Sequence, residues 1–427
     1  MNKMLLRFTC SLAMSVLFFA CSSDDDSTGS GTVVDSAPDV YEFYDVDGNS
    51  TVVYSGQVVR NVLITDIKAL ANSTDASLLE GMYTNSEANQ SRAITSLSDQ
   101  STVQTTYGDI SGSNLNGKIA KVADDYGVAD ETVYGYNMEP DALMSTWFSA
   151  AASGSYNSDG LDIGQMIQKG LMGMVSYYQG TSKYLGVVLE QDNSGPDGDN
   201  YYTKMEHYWD ESFGYFGASA DYLSRTDAEI KASTYFDTDN DGSIDFLSEN
   251  CTGISINAAK RDDGSSNYYD FTGTIMSAYL EGRYLISTGG SESDIIAQRE
   301  IIVNNWEMLL AANAIHYIND TMGDIGDGSG WEVTWDASCT STETKCSNYS
   351  KHYSEMRAFA MGLQYNRYKL ISDSDLNQVY DLMRVAPEFP ETTGDLSGML
   401  SYMADLQVAR DILEAAYGFD SSVVANW

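Results

Sequence analysis

The sequence predicts an all-α protein, an up-and-down helical bundle of two pseudo-repeated lobes with a short N-terminal β-hairpin, and three observations carry that reading. Only five prolines interrupt 427 residues. Long stretches place apolar residues at helical spacing, which gives each helix one face to bury. Several of these stretches exceed about twenty residues, a length that suits a bundle better than a solenoid of short repeats.

In chain order, helices are expected over 56–72, 117–126, 140–152, 163–189, 203–219, 226–234, 254–260, 268–287, 292–322, 350–372, 374–384 and 396–417. The segment Asp39 to Tyr54 alternates Tyr, Phe and Val around Asp47-Gly48 and carries the hairpin signal. The two-lobe expectation rests on a repeat of order. Helix 163–189 leads into an acidic, Gly-containing loop and then a helix reading MEHYWDESFGYFG; helix 292–322 leads into a polar loop and then a helix reading SKHYSEMRAFAMGLQY. The lobes are expected at about 39–235 and 254–427, joined by an acidic loop at 237–249.

Ahead of this body, residues 1–20 read as a secretory signal: Lys3 and Arg7, then an apolar run from Leu12 to Ala20. The run is too short to span a bilayer. A small residue directly before Cys21 makes that cysteine the expected lipidated N-terminus. Residues 21–38 then form a tether, and Ser22 to Thr32 offers nothing to bury.

Without the signal, 21 basic residues face 62 acidic ones, a formal charge of −41. Nucleic acid is excluded as a partner by like charge, whereas divalent metals and cationic ligands suit such a body. In an oxidising compartment Cys339 and Cys346, close together in a polar loop, are expected to form a disulfide. Cys251 reads as a buried apolar thiol.

The chain has three histidines, and each has an acid one helical turn onward. His207 precedes Asp210 and Glu211, His352 precedes Glu355, and His316 precedes Asp320. Offsets of three and four put imidazole and carboxylate on one helix face. Helical bundles hold metals with this pairing taken from two helices, so His207, Asp210, Glu211, His352 and Glu355 are the candidate ligands for iron or zinc. His316, in the apolar context LLAANAIHYI, reads as a core histidine.

A second constellation is DTDNDGSIDFLSE. Asp237, Asp239, Asp241, Ser243 and Asp245 recur at calcium-loop spacing around Gly242, with Ser248 at the twelfth position and Glu249 one residue late. It is expected to hold a structural calcium ion weakly. No paired-histidine zinc-protease helix, Gly-x-Ser-x-Gly elbow or phosphate-binding Gly-Lys loop occurs in the sequence.

The acidic start after Cys21 resembles the export tag of Bacteroidota lipoproteins carried to the cell surface, which implies an outer-membrane lipoprotein facing the medium. From about residue 40 onward the chain resembles the imelysin-like group, specifically a branch of Bacteroidota lipoproteins with a HYWDESFGY-type helix. That family has a Gly-x-His-x-x-Glu motif, is linked with iron uptake and was once classed among metallopeptidases. His352 and Glu355 match its His and Glu, with Ser350 at the Gly position; around His207, Met205 takes the Gly position and Asp210 the Glu position. The expected function is therefore capture of a metal-related ligand such as iron or haem for an outer-membrane transporter. The alternatives are a metallopeptidase and a surface module that binds glycans or protein through its tyrosines.

Overall fold

The computed structural model describes residues 36–71, 75–121, 132–152, 159–262, 269–328, 331, 345–390 and 396–427. Its main helices are α1 (Ser55–Leu70), α2 (Ala76–Tyr83), α3 (Pro140–Ala151), α4 (Ile163–Leu171), α5 (Lys204–Phe216), α6 (Gly253–Asp262), α7 (Phe271–Thr288), α8 (Glu292–Ile325), α9 (Lys345–Gly362), α10 (Asp373–Met383) and α11 (Leu396–Tyr417). The chain is mostly helical and forms a bundle, and among the described residues β-pairing is limited to isolated bridges.

Local chemistry sets most helix starts. The side chains of Asp75, Asp162, Asp270, Ser291 and Ser372 each accept the backbone N–H three residues on, which satisfies a donor with no partner inside the helix. Thr203 and Glu206 cap α5 reciprocally. Gly217 and Gly289 stop α5 and α7 at φ 79° and 74°, where a side chain would be strained.

Packing turns on the helix that begins as α4. It continues without a break into a π-helical stretch (Met172–Tyr184) and a 3₁₀ turn (Leu185–Glu190), and nearly every residue of it is buried. Glycines let neighbours approach it closely. A Cβ on Gly173 would lie 2.6 Å from the Cα of Gly362 at the end of α9, and one on Gly180 would lie 2.7 Å from the Trp306 ring of α8. The same helix thus touches both expected lobes, and residues 36–427 make one compact unit around a continuous apolar core.

Three expectations need restating. Residues 117–121 are a turn and not the start of a helix, because the Ala120 N–H goes to the Met174 carbonyl of the π-helical stretch at 2.9 Å; 122–131 lie outside the described residues. Helix α2 was not expected. The segment 39–54 makes one antiparallel bridge, Tyr44 with Ser50, and it is held to the body by contacts that include a stack of Tyr41 on Phe213 at 3.7 Å and the Tyr54 hydroxyl donating to the Leu247 carbonyl at 2.8 Å.

A buried acid ties the C-terminal helices to α8. Glu307 is fully buried, and it accepts N–H groups of Leu370 and Ile371, the Asn366 amide and the Tyr417 hydroxyl at 2.8–3.3 Å. Burial raises its pKa. Among the described residues, no helix is long and apolar enough to cross a membrane.

Candidate functional site

The acidic loop brings together three of the six expected ligands, Asp237, Asp239 and Glu249. Gly242 takes φ 86° and donates its N–H to Asp237 Oδ2 at 3.0 Å, closing the tight turn. Asp239 and Asp241 accept the N–H groups of Asp241 and Ser243 at 3.0 and 2.7 Å. Ile244 turns into the core and bridges in parallel to Thr102, which straps the loop to an earlier part of the chain. Glu249, 5 % exposed, reaches back so that Oε1 accepts from Thr238 at 2.6 Å and Oε2 from Asp245 at 2.8 Å. Donor atoms of Asp237, Asp239 and Glu249 all lie within 4.8 Å of one another. The buried Asp237 Oδ1 has no hydrogen-bond partner. Asp245 faces elsewhere, accepting from Gln104 at 2.8 Å.

Helix α5 puts its three candidates to different uses. Asp210 is fully buried and takes the Arg283 Nε–H at 2.8 Å and the Tyr41 hydroxyl at 2.8 Å. Burial pushes its pKa up to about 6, against the pull of Arg283. Arg283 also donates to Glu206 at 2.6 Å and to the Thr51 hydroxyl at 3.0 Å. Asp210 is therefore the counter-ion of a buried arginine, a partner that sequence spacing gave no means of seeing. His207 stacks on Tyr202 at 4.4 Å, and its Nε2 lies 3.9 Å from Glu211, which is itself bonded to Gln57 at 2.7 Å.

His352 meets a different histidine. Its Nδ1 lies 2.7 Å from Asp324 Oδ2, and its Nε2 lies 3.9 Å from Asp320 Oδ2. The same Asp320 oxygen is 3.4 Å from His316 Nε2. His316, expected in the core, thus shares Asp320 with His352, while His207 and His352 have no partner in common among the described residues. Residues 316, 320 and 324 lie one turn apart on α8, so the face was legible; its pairing with α9 was not.

The two imidazoles differ in charge. Burial, helped by the Arg261 charge, lowers the His316 pKa to about 3 and keeps it neutral. Burial also opposes a proton on His352, but Asp324, Asp320 and Glu355 outweigh it and raise the pKa. Glu355 lies 3.3 Å from Lys169, whose pKa burial lowers to about 8. The Tyr317 ring stands 6.2 Å from His352.

Cys346 is disulfide-bonded, and its expected partner Cys339 lies outside the described residues, as does Cys21. Cys251 is a free buried thiol whose pKa burial raises.

A family model described as "Domain of unknown function (DUF4856)" matches residues 38–337. No curated protein and no solved structure matches the chain.

Proposed function

This chain belongs to the DUF4856 family, and from that premise we propose that it is an extracytoplasmic calcium-binding protein whose acidic loop holds the ion as a clamp on the bundle. One observation carries the reading: donor oxygens of Asp237, Asp239 and Glu249 converge within 4.8 Å, and the buried Asp237 Oδ1 lacks any partner. Calcium takes six to eight oxygens in a flexible shell, and closely set carboxylates of this kind repel one another until a cation neutralises them. Calcium titration calorimetry on the wild type and on the double variant Asp237→Asn, Glu249→Gln tests it. Wild-type binding that the double variant loses is expected; no wild-type binding sinks the reading.

A second reading is favoured by the His316, Asp320 and His352 cluster, in which imidazoles from two helices face one carboxylate oxygen. We propose that a metal-related ligand, iron, haem or similar, is captured at this cluster and passed to an outer-membrane transporter, with Cys21 as the lipid anchor at the cell surface. Nitrogen and oxygen donors of this kind suit iron and zinc. Ligation requires His352 to turn from Asp324 toward Asp320. Kinship with the imelysin-like group is part of this reading, supported by the helical bundle and by the spacing of His352 and Glu355. Titration with ferrous, ferric and zinc ions, comparing wild type with His316→Ala plus His352→Ala and with His207→Ala, separates the two faces. Equal binding in all three proteins, or none in the wild type, removes it.

A further inference from the structure

A cavity of about 280 Å³ opens beside the first half of α8, lined by Arg299, Glu300, Val303 and Asn304 of that helix and by Tyr368 from the segment after α9. Arg299 is 16 % exposed and donates no hydrogen bond among the described residues; its ion pair there is with Glu300 at 3.8 Å, and Glu300 is 62 % exposed. Successive residues of a helix do not face each other, and an exposed pair at this distance holds little. Lys369, directly after Tyr368 in the chain, has by contrast a close partner in Asp373 at 2.9 Å.

One ring gathers two guanidiniums. Arg299 stands over the Tyr368 ring at 5.4 Å and Arg367 over the same ring at 5.1 Å, both within cation–π range. Among the described residues the Arg367 guanidinium makes no hydrogen bond or ion pair; its backbone N–H is bonded, to Ser182 Oγ at 3.0 Å. Two like charges over one ring repel each other. The chain holds 62 acidic residues, yet neither arginine is hydrogen-bonded to a carboxylate.

The neighbouring backbone is fixed. Gly186 of the 3₁₀ turn makes room for Arg367, since a Cβ there would lie 3.3 Å from the Arg367 Cδ. The Tyr368 hydroxyl donates to the Gly186 carbonyl at 3.1 Å, and the Tyr368 N–H donates to Asn366 Oδ1 at 2.9 Å. Asn366 is in turn held by Glu307 at 2.8 Å. The ring is therefore placed before any ligand arrives, which lowers the ordering cost of binding.

We propose that this cavity binds a small organic carboxylate, with the Arg299 fork on its two oxygens and with Val303 and the Tyr368 ring against its carbon body. Two parallel N–H···O bonds from a guanidinium match a carboxylate and give direction as well as attraction. The charges select a monoanion, because two guanidiniums against the one carboxylate of Glu300 leave a single positive charge. A volume just below the usual range of about 300–1,000 Å³ limits the body to about one ring. The site is separate from the histidine cluster, for Arg299 lies about 25 Å from His316 by the rise of α8.

The experiment is calorimetry on the full chain with benzoate, glucuronate, acetate and inorganic phosphate as separate probes, in wild type, Arg299→Met, Glu300→Gln and Lys351→Met. The wild type is expected to bind benzoate or glucuronate more tightly than acetate or phosphate; benzoate ahead marks an apolar acid, glucuronate ahead a sugar acid. Arg299→Met should weaken that binding about tenfold or more. Glu300→Gln removes a competing carboxylate and should tighten it. Lys351→Met, which removes an exposed cation of α9, should leave it unchanged. The proposal is overturned by a wild type that binds neither ring acid, by ring acids held no tighter than acetate or phosphate, or by affinity that Arg299→Met leaves intact. An equal loss in Lys351→Met and Arg299→Met also overturns it, since that marks general attraction by charge. Should Arg299→Met fail to fold, Arg299→Lys replaces it: the charge stays and the fork goes, so weaker binding is expected and unchanged binding is the contrary result.

Discussion

Arg283 donates from Nε to Asp210 Oδ1 at 2.8 Å with neither side chain exposed. The pair joins α7 to α5, and Tyr41 and Thr51 close it from the N-terminal segment. Removing one member leaves a charge in the core with nothing to balance it. Arg283→Met should therefore cost about 3–5 kcal/mol of stability, read from urea unfolding. Adding Asp210→Asn to it should recover part of the loss, because the stranded carboxylate becomes neutral; a fully additive double variant would refute this account.

The two clustered histidines predict opposed pH effects. His352 has a folded pKa above its ordinary 6.5, so its contribution is complete below that value and is lost as pH rises through the folded pKa. The stability gap between wild type and His352→Gln should be widest on the acid side of neutrality and should close on the alkaline side. His316, lowered to about 3, works in reverse: the unfolded chain takes up its proton first, so stability falls as pH drops from 6.5 toward 3. His316→Gln should lessen that acid loss. Melting temperatures of both variants across this range provide the check.

Calcium should act on the whole bundle, because the loop is strapped to Thr102 and carries Ile244 into the core. At a hundredfold excess over its dissociation constant the ion should add about 2.7 kcal/mol, and chelation should remove it. Thermal melts with calcium and with chelator measure this. Asp237→Asn should narrow the difference between the two melts.

The crossing of α9 over the π-helical stretch has no room for a methyl group. Gly173→Ala, whose Cβ would sit 2.6 Å from Gly362 Cα, should cost about 1–3 kcal/mol. Gly323→Ala on α8 meets nothing within 4 Å and should be neutral or stabilising by up to about 1 kcal/mol. Equal melting temperatures for the two variants would refute this reading of the crossing.

These cases mark what sequence order could reveal. Helix periods and caps are local, so α11 was expected at its observed bounds and α8 within a few residues. The tight turn of the acidic loop at Gly242 was legible for the same reason, since Asp237 to Glu249 are thirteen consecutive positions. Pairings across the bundle were not. Asp210 satisfies the His-plus-acid spacing as well as Glu211 does, yet Arg283, 73 positions away, claims it. His316 looked apolar because its neighbours in sequence are, while the face it shares with Asp320 and Asp324 is decided by where α9 lies.

Glu307 has a practical corollary for anyone cutting the chain at the family border. The acid lies inside the matched region, but Asn366, Leu370, Ile371 and Tyr417, which hold it, all lie beyond residue 337. A fragment ending there would keep the carboxylate, discard most of its donors and uncover an apolar face of α8 that α11 had covered. The segment after 337 is thus part of one folding unit, and the border drawn by sequence similarity is not a place where this molecule can be divided.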